Sequence, residues 1–270
     1  MNHHTKNFGV LAKTTTVALL AAASLVSAKA DDLAYAMAYN ADFGTLDLTT
    51  GGFTKLDNLG ISLAGFGLAN GNVYAATYNA SSTGLYEVNT ANGTLTYIGG
   101  DNINITAFGS TTTGGLYALG GANSYTLYSI NPLTGIATII GNTGLSGANA
   151  TTWGGLSDGG SQLYFSDNNQ IFKINTATGA PTSVGSTGSD DMSALIFENN
   201  TLYGSQATPA FDVDVLNQLS GSVISSAAVT GIPGGFSGFS GLAPVPEPAS
   251  LALAAVGGLG LALLRKRKKA

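Results

Sequence analysis

Between Asp31 and Pro244 the chain has no cysteine, no histidine and no arginine, and only two lysines, Lys55 and Lys173. Without cysteine no disulfide can staple this stretch, so its hydrophobic core alone must hold it. The same absence removes a cysteine-linked lipid anchor and any thiolate nucleophile. Without histidine there is no Ser-His-Asp or Cys-His pair and no histidine-ligated zinc or iron. Against the two lysines stand fourteen acidic residues, a net charge of −12 over 214 residues. Nucleic acid is excluded as a partner, because phosphate binding needs clustered Lys and Arg. An anionic polysaccharide would be repelled unless divalent cations bridged it. A stretch of this length can still bury a single sizeable core.

The chain also lacks a full-length hydrophobic span, yet it has apolar runs at both ends. At the start, His3, His4, Lys6 and Lys13 form a basic leader. Val17 to Val26 is apolar but for Ser24, and Ala28-Lys29-Ala30 is a small-x-small cleavage site. This is the pattern of a secretory signal peptide over residues 1–30, with signal peptidase cutting after Ala30. At the other end, residues 245–270 hold three parts in order. Pro246-Glu247-Pro248 is a proline-bracketed carboxylate. Ala249 to Leu264 is 16 residues with Ser250 as its only polar side chain. Arg265, Lys266, Arg267, Lys268 and Lys269 form a basic stop. A stable span needs about 20 apolar residues, so this short helix crosses a bilayer only with thinning or snorkelling. The cationic end stays cytoplasmic and the rest lies outside.

These three parts together resemble a PEP-CTERM sorting signal, with Pro246, Glu247 and Pro248 as the motif. The resemblance covers only this tail. It implies recognition by an exosortase, a membrane transpeptidase, with removal of the tail and release to the cell surface or extracellular matrix. Membrane association through the tail is then transient. It also implies a link to exopolysaccharide, which the residues themselves do not show.

A turn motif recurs five times between the two ends. It reads Leu46-Asp-Leu-Thr-Thr-Gly51, Val88-Asn-Thr-Ala-Asn-Gly93, Ile130-Asn-Pro-Leu-Thr-Gly135, Ile174-Asn-Thr-Ala-Thr-Gly179 and Val215-Leu-Asn-Gln-Leu-Ser-Gly221. The glycines step by 42, 42, 44 and 42 residues, a spacing in the range of propeller blades. Short apolar strands flank each motif, as in a hairpin whose turn starts with Asn or Asp and ends on a Gly of positive φ. Asn89, Asn131 and Asn175 are therefore turn residues rather than ligands. A second series places one bulky residue between small ones at Phe66, Phe108, Trp153, Leu195 and Phe239. It suits an inner strand crowded near an axis.

The first hairpin precedes the first inner strand, and the last inner strand follows the last hairpin. The expected fold is thus all-β: a five-bladed propeller over residues 31–244. Its C-terminal strand, from Phe236 to Leu242, completes the blade begun by Leu33 to Leu59. Closure hides edges that would otherwise promote aggregation. The repeats resemble the degenerate propeller repeats of bacterial surface proteins, without the WD dipeptide. An open solenoid is the alternative.

Only carboxylate chemistry or oxygen-ligated cations remain open to such a chain. Glu87 falls where other repeats have Ser129 and Lys173, and faces solvent; Glu198 opens the turn Glu198-Asn199-Asn200. Asp190, Asp191, Asp212 and Asp214, with Asp167, can line one mouth of the ring, and the first four are the candidate cation ligands, suited to Ca²⁺. None matches an EF-hand loop. The expectation is a non-enzymatic surface or matrix protein that binds or scaffolds and carries no cofactor. The alternative is a propeller enzyme that cleaves glycan with paired carboxylates.

Overall fold

The computed structural model describes residues 32–78, 84–100, 103–121, 125–145, 156–158, 162–167, 169–188, 191–208, 211–232 and 238–245. Twenty strands run through these residues, with no helix among them. The expected signal-peptide and C-terminal membrane helices lie outside the described residues. The first three strands are β1 (Leu33–Ala38), β2 (Asp42–Asp47) and β3 (Phe53–Asn58). Next come β4 (Leu63–Ala69), β5 (Asn72–Thr77), β6 (Leu85–Val88) and β7 (Leu95–Gly99). They are followed by β8 (Ile105–Ser110), β9 (Leu116–Gly120), β10 (Thr126–Ile130) and β11 (Ala137–Asn142). The fourth group is β12 (Leu156–Asp158), β13 (Gln162–Asp167), β14 (Gln170–Asn175) and β15 (Pro181–Ser186). The last strands are β16 (Asp191–Glu198), β17 (Thr201–Thr208), β18 (Asp212–Leu216), β19 (Val223–Ala228) and β20 (Phe239–Pro244).

The strands form five antiparallel four-stranded sheets. Four are consecutive in sequence. The fifth has the order β20-β1-β2-β3, so the last strand is the inner strand of blade 1. Ala34 pairs with Pro244 and Ala36 with Leu242. The inner strands β20, β4, β8, β12 and β16 contact one another in a closed series. Each of five core clusters joins two adjacent blades. Phe43 of blade 1 meets Phe66 of blade 2 at 5.7 Å, and Tyr125 of blade 3 meets Phe165 of blade 4 at 5.3 Å. At the closing seam, Ala194, Ile196, Tyr203 and Val213 of blade 5 pack on Leu46, Phe53, Phe239 and Leu242 of blade 1. The expected closed ring of five blades is what forms, and all five interfaces lie within residues 32–245.

The five turns have one local chemistry. In each, an amide two residues on donates to the Asx side chain. Thr49 donates to Asp47 (2.8 Å), Ala91 to Asn89 (3.0 Å), Leu133 to Asn131 (2.8 Å), Ala177 to Asn175 (2.8 Å) and Leu219 to Asn217 (2.9 Å). The closing glycine amide returns to the Asx carbonyl, as Gly135 does to Asn131 at 2.8 Å. Gly135 has φ +70°, and a Cβ there would sit 2.6 Å from the carbonyl carbon of Gly99 in the previous blade. The turn thus serves twice, as a left-handed turn and as the close contact between blades. At the closing seam the same role falls to Gly51, against Ala228, with Thr230 N donating to Gly51 O and Phe53 N to Thr230 O.

The inner strands correct one part of the sequence pattern. Leu242, not Phe239, takes the central place in blade 1. Ala243 faces Tyr35, as Gly67 faces Tyr74 and Gly109 faces Tyr117. Phe239 sits at the place of Leu63 and Ile105. In blade 4, Ser157 faces Tyr164, which puts Leu156 in the central place rather than Trp153; Trp153 lies outside the described residues. Both alternatives leave a bulky residue between small ones, Trp153 or Leu156 and Phe239 or Leu242, so the local pattern does not separate them. A β-bulge also inserts one residue into four of the inner strands, and in three of these it carries a hydroxyl: Thr106, Ser193 and Ser240. The hydroxyl of each donates to a carbonyl of the neighbouring strand, Leu119 (3.1 Å), Ser205 (3.1 Å) and Met37 (3.3 Å) respectively. The C-terminal strand starts three residues later than expected and ends two later, running from Phe239 to Pro244. Residues 236 and 237 lie outside the described residues.

Candidate functional site

Antiparallel order puts the five Asx turns, the start of β1 and the end of β20 on one face of the ring. A cavity of about 550 Å³ opens on this face, where inner strands converge. Its apolar floor is Phe66, Leu68, Ile196 and Leu242. Its rim is made by three connections: Asn70-Gly71, Thr111 to Thr113, and Glu198-Asn199-Asn200. Asn70, Asn199 and Asn200 all have positive φ (52°, 47° and 62°), a region that Asn tolerates and that tightens both hairpins. The sequence motif Glu198-Asn199-Asn200 is the expected turn, and it stands at this rim. Glu198 is the only carboxylate among the described lining residues.

Beside the rim lies a contact that the sequence pattern does not show. Asp32 is buried and accepts from Asn199 Nδ2 at 2.6 Å and from the Tyr203 hydroxyl at 3.0 Å. It ties the first described residue of blade 1 to blade 5. Burial pushes the Tyr203 phenol up to about 12, and the Asp32 carboxylate adds to the rise.

Other carboxylates also hold structure together. Burial would raise the pKa of Asp42, but the Lys55 ammonium at 2.5 Å and the Asn58 and Asn40 amides outweigh it and hold the carboxyl below its usual value. Asp47 is held down in the same way by Thr50 and Thr49. Burial raises Asp167. The second lysine, Lys173, lies over the Tyr164 ring at 5.2 Å.

The candidate cation ligands do not gather around the cavity. Asp191 opens β16 and Asp212 opens β18, both at the opposite face, where β13 ends on Asp167. Asp214 is fully buried two residues into its strand, opposite Gly204. Asp190 lies outside the described residues. Among the described residues no three of His, Cys, Asp and Glu come together as a metal group.

The tail residues Pro246, Glu247 and Pro248 and the basic stop Arg265 to Lys269 lie outside the described residues as well. Their chemistry is recognised instead by a family model, the PEP-CTERM protein-sorting motif, which matches residues 244–268. The chain carries a PEP-CTERM sorting motif. That motif implies export, anchoring by the C-terminal tail before processing, and processing by an exosortase. No helix among the described residues is long and apolar enough to cross a membrane.

No curated protein matches this PEP-CTERM chain. Solved structures do. A chain of a nidogen/laminin complex is 13% identical, with 80% of this chain and 82% of that one covered and a TM-score of 0.54. A protein of unknown function from Bacteroides caccae is 10% identical, over 80% and 98% of the two chains, with a TM-score of 0.49. Another, from Bacteroides thetaiotaomicron, is 18% identical with a TM-score of 0.45. There 60% of this chain spans 42% of that one, less than half its length. At 13% identity the likeness to the nidogen/laminin chain shows the fold alone.

Proposed function

We propose that this exported PEP-CTERM propeller is a non-catalytic binding and scaffolding module of the cell surface or extracellular matrix, associated with exopolysaccharide. One observation carries the reading: among the described residues the cavity has an apolar floor and a rim of amides and hydroxyls with a single carboxylate, Glu198. Such a lining can hold a neutral polyhydroxylated ligand by hydrogen bonds around an apolar base. Cleavage of a glycosidic bond ordinarily asks for two facing carboxylates. Asp32, Asp42 and Asp47 are occupied by Tyr203, by Lys55 and by a turn, which supports a structural role for them. Calcium remains a candidate ligand of the acidic residues at the opposite face, and no other cofactor is proposed. Signal peptidase would act after Ala30 and the exosortase near Pro246-Glu247-Pro248.

A glycan array on residues 31–244, with and without calcium, tests the binding. Incubation with surface polysaccharide and with α- and β-linked glycans tests turnover. Binding without release of reducing ends is the expected result. Steady release that vanishes in Glu198→Gln would make the protein an enzyme and end this reading.

A further inference from the structure

The chain leaves the propeller at the cavity. Pro244, the last residue of β20, lines the cavity, and Leu242 two residues earlier is part of its floor. Pro244 pairs with Ala34, and Val245 N donates to Leu33 O at 3.3 Å, so the exit is pinned beside the start of β1. The sorting motif opens at the next residue, Pro246, and the apolar run opens at Ala249, four residues beyond the pinned Val245. A link of four residues spans at most about 14 Å, however extended. A domain of this size has a radius of gyration of about 17 Å. The link between cavity rim and membrane-seeking segment is thus much shorter than the ring is wide.

A tether this short, fixed at the cavity, sets the orientation of the anchored protein. Turning the opposite face to the bilayer would need a link that passes around the ring, farther than four residues reach. The charges agree with that orientation. Asp42, Asp191 and Asp212 open β2, β16 and β18 at the opposite face, and Asp167 ends β13 there. All four are then turned away from anionic headgroups. On the cavity side the rim is Asn70, Thr111 to Thr113, Asn199 and Asn200, with Glu198 as the only carboxylate among the described lining residues. Neutral amides and hydroxyls can meet a headgroup layer without charge repulsion. Asp32, at the same face, is buried.

We propose that the cavity face is held against the lipid bilayer while the tail is in place, so that cutting near Pro246-Glu247-Pro248 both frees the domain and opens the cavity to polymer. The proposal rests on the reading of the cavity as the ligand site. Its partner is the lipid surface, met by the rim at Asn70, Thr112 and Asn200. A short glycan still enters from the side, through a gap of up to about 14 Å. A long or branched polymer must lie across the mouth with chain on both sides, and the bilayer takes that space. An order of events follows. A copy still in the membrane does not engage matrix polymer, so polymer does not crowd the motif that the exosortase must reach. Cutting then removes the covering surface without any change in the shape of the cavity.

The chain has no cysteine, so single labels report without background. Thr112→Cys marks the rim and Ser62→Cys, just before β4, marks the opposite face; both positions are exposed. Residues 31–270, labelled with a fluorophore at one site or the other, are reconstituted into phosphatidylcholine–phosphatidylglycerol vesicles with acceptor-labelled headgroups. Energy transfer to the lipid should be several-fold stronger from residue 112 than from residue 62, and should vanish from both in residues 31–245. Equal transfer from the two sites, or the reverse order, would overturn the orientation. Binding is read on the same vesicles with surface polysaccharide and with short glycans. The polysaccharide should bind the anchored domain about tenfold or more weakly than residues 31–245, as expected if about one copy in ten is uncovered at any moment. Short glycans should bind both alike. A Gly/Ser spacer of about 20 residues after Val245, with a mean reach of about 25 Å, should restore polysaccharide binding. Equal polysaccharide binding by the anchored and free domains would end the gating and leave the cavity reading standing. No glycan binding by the free domain would end the cavity reading and the gating with it.

Discussion

Tyr203→Phe removes one hydroxyl from the seam where the ring closes. That hydroxyl donates to Asp32 Oδ2 at 3.0 Å, between a tyrosine that is 5% exposed and an aspartate that is 8% exposed. A hydrogen bond to a charged group contributes about 1.5–3 kcal/mol. Asn199 still donates to the other carboxylate oxygen at 2.6 Å, so Asp32 is not left bare, and the cost falls in the lower part of that range, about 2 kcal/mol. For a domain of this size each kcal/mol moves Tm by about 2–4 °C, so a fall of about 4–8 °C is expected. Alkaline pH supplies an independent signature. The Tyr203 phenol titrates at about 12 in the folded protein, above its ordinary value of 10.0. Its contribution is therefore fully present below pH 10 and is lost as pH rises from 10 toward 12. Tyr39 and Tyr78 are also raised by burial, so the readout is the difference between wild type and variant, which should shrink across that window. Scanning calorimetry at neutral pH and through the alkaline range measures both effects, and a cycle with Asp32→Asn isolates the coupling. Equal melting temperatures at neutral pH, or a difference that stays constant through the alkaline window, would refute the clasp.

Phe239 is fully buried, with its ring 5.7 Å from Phe53, so Phe239→Ala should cost about 3–5 kcal/mol in urea unfolding. Ending the chain before Phe239 removes β20 altogether; an unchanged melting temperature in that truncation would count against closure by the C-terminal strand. Gly135→Ala and Gly144→Ala form a matched pair, since both residues have φ near +70° but, among the described residues, only Gly135 faces a neighbouring backbone and a Cβ on Gly144 meets nothing within 4 Å. Both should lose about 1 kcal/mol to the left-handed conformation, and Gly135→Ala should lose clearly more. Equal losses would mean that the turn does not hold adjacent blades together.

The turns were legible because their chemistry is local. An Asx side chain that accepts from an amide two residues on, and a glycine at positive φ, both fall within one hexapeptide. Five such hexapeptides at near-constant spacing fix the blade count and imply closure. The sorting tail was legible for a similar reason, since its proline-bracketed carboxylate, apolar run and basic stop are contiguous. The inner strands were harder. Their bulges insert Thr106, Ser193 or Ser240 without a turn residue to mark the spot, and a shift of three residues at Trp153 and Phe239 still leaves a bulky side chain between small ones. The clasp between Asp32 and Tyr203 spans 171 residues, and no local pattern couples its partners. Nor could composition show that the cavity rim is polar while Asp191 and Asp212 stand at the opposite face. The step from Pro244 to the sorting motif is plain in the sequence as a line. Only closure of the ring sets that step at the cavity rim, because a line of residues has no faces until strands pair and blades pack.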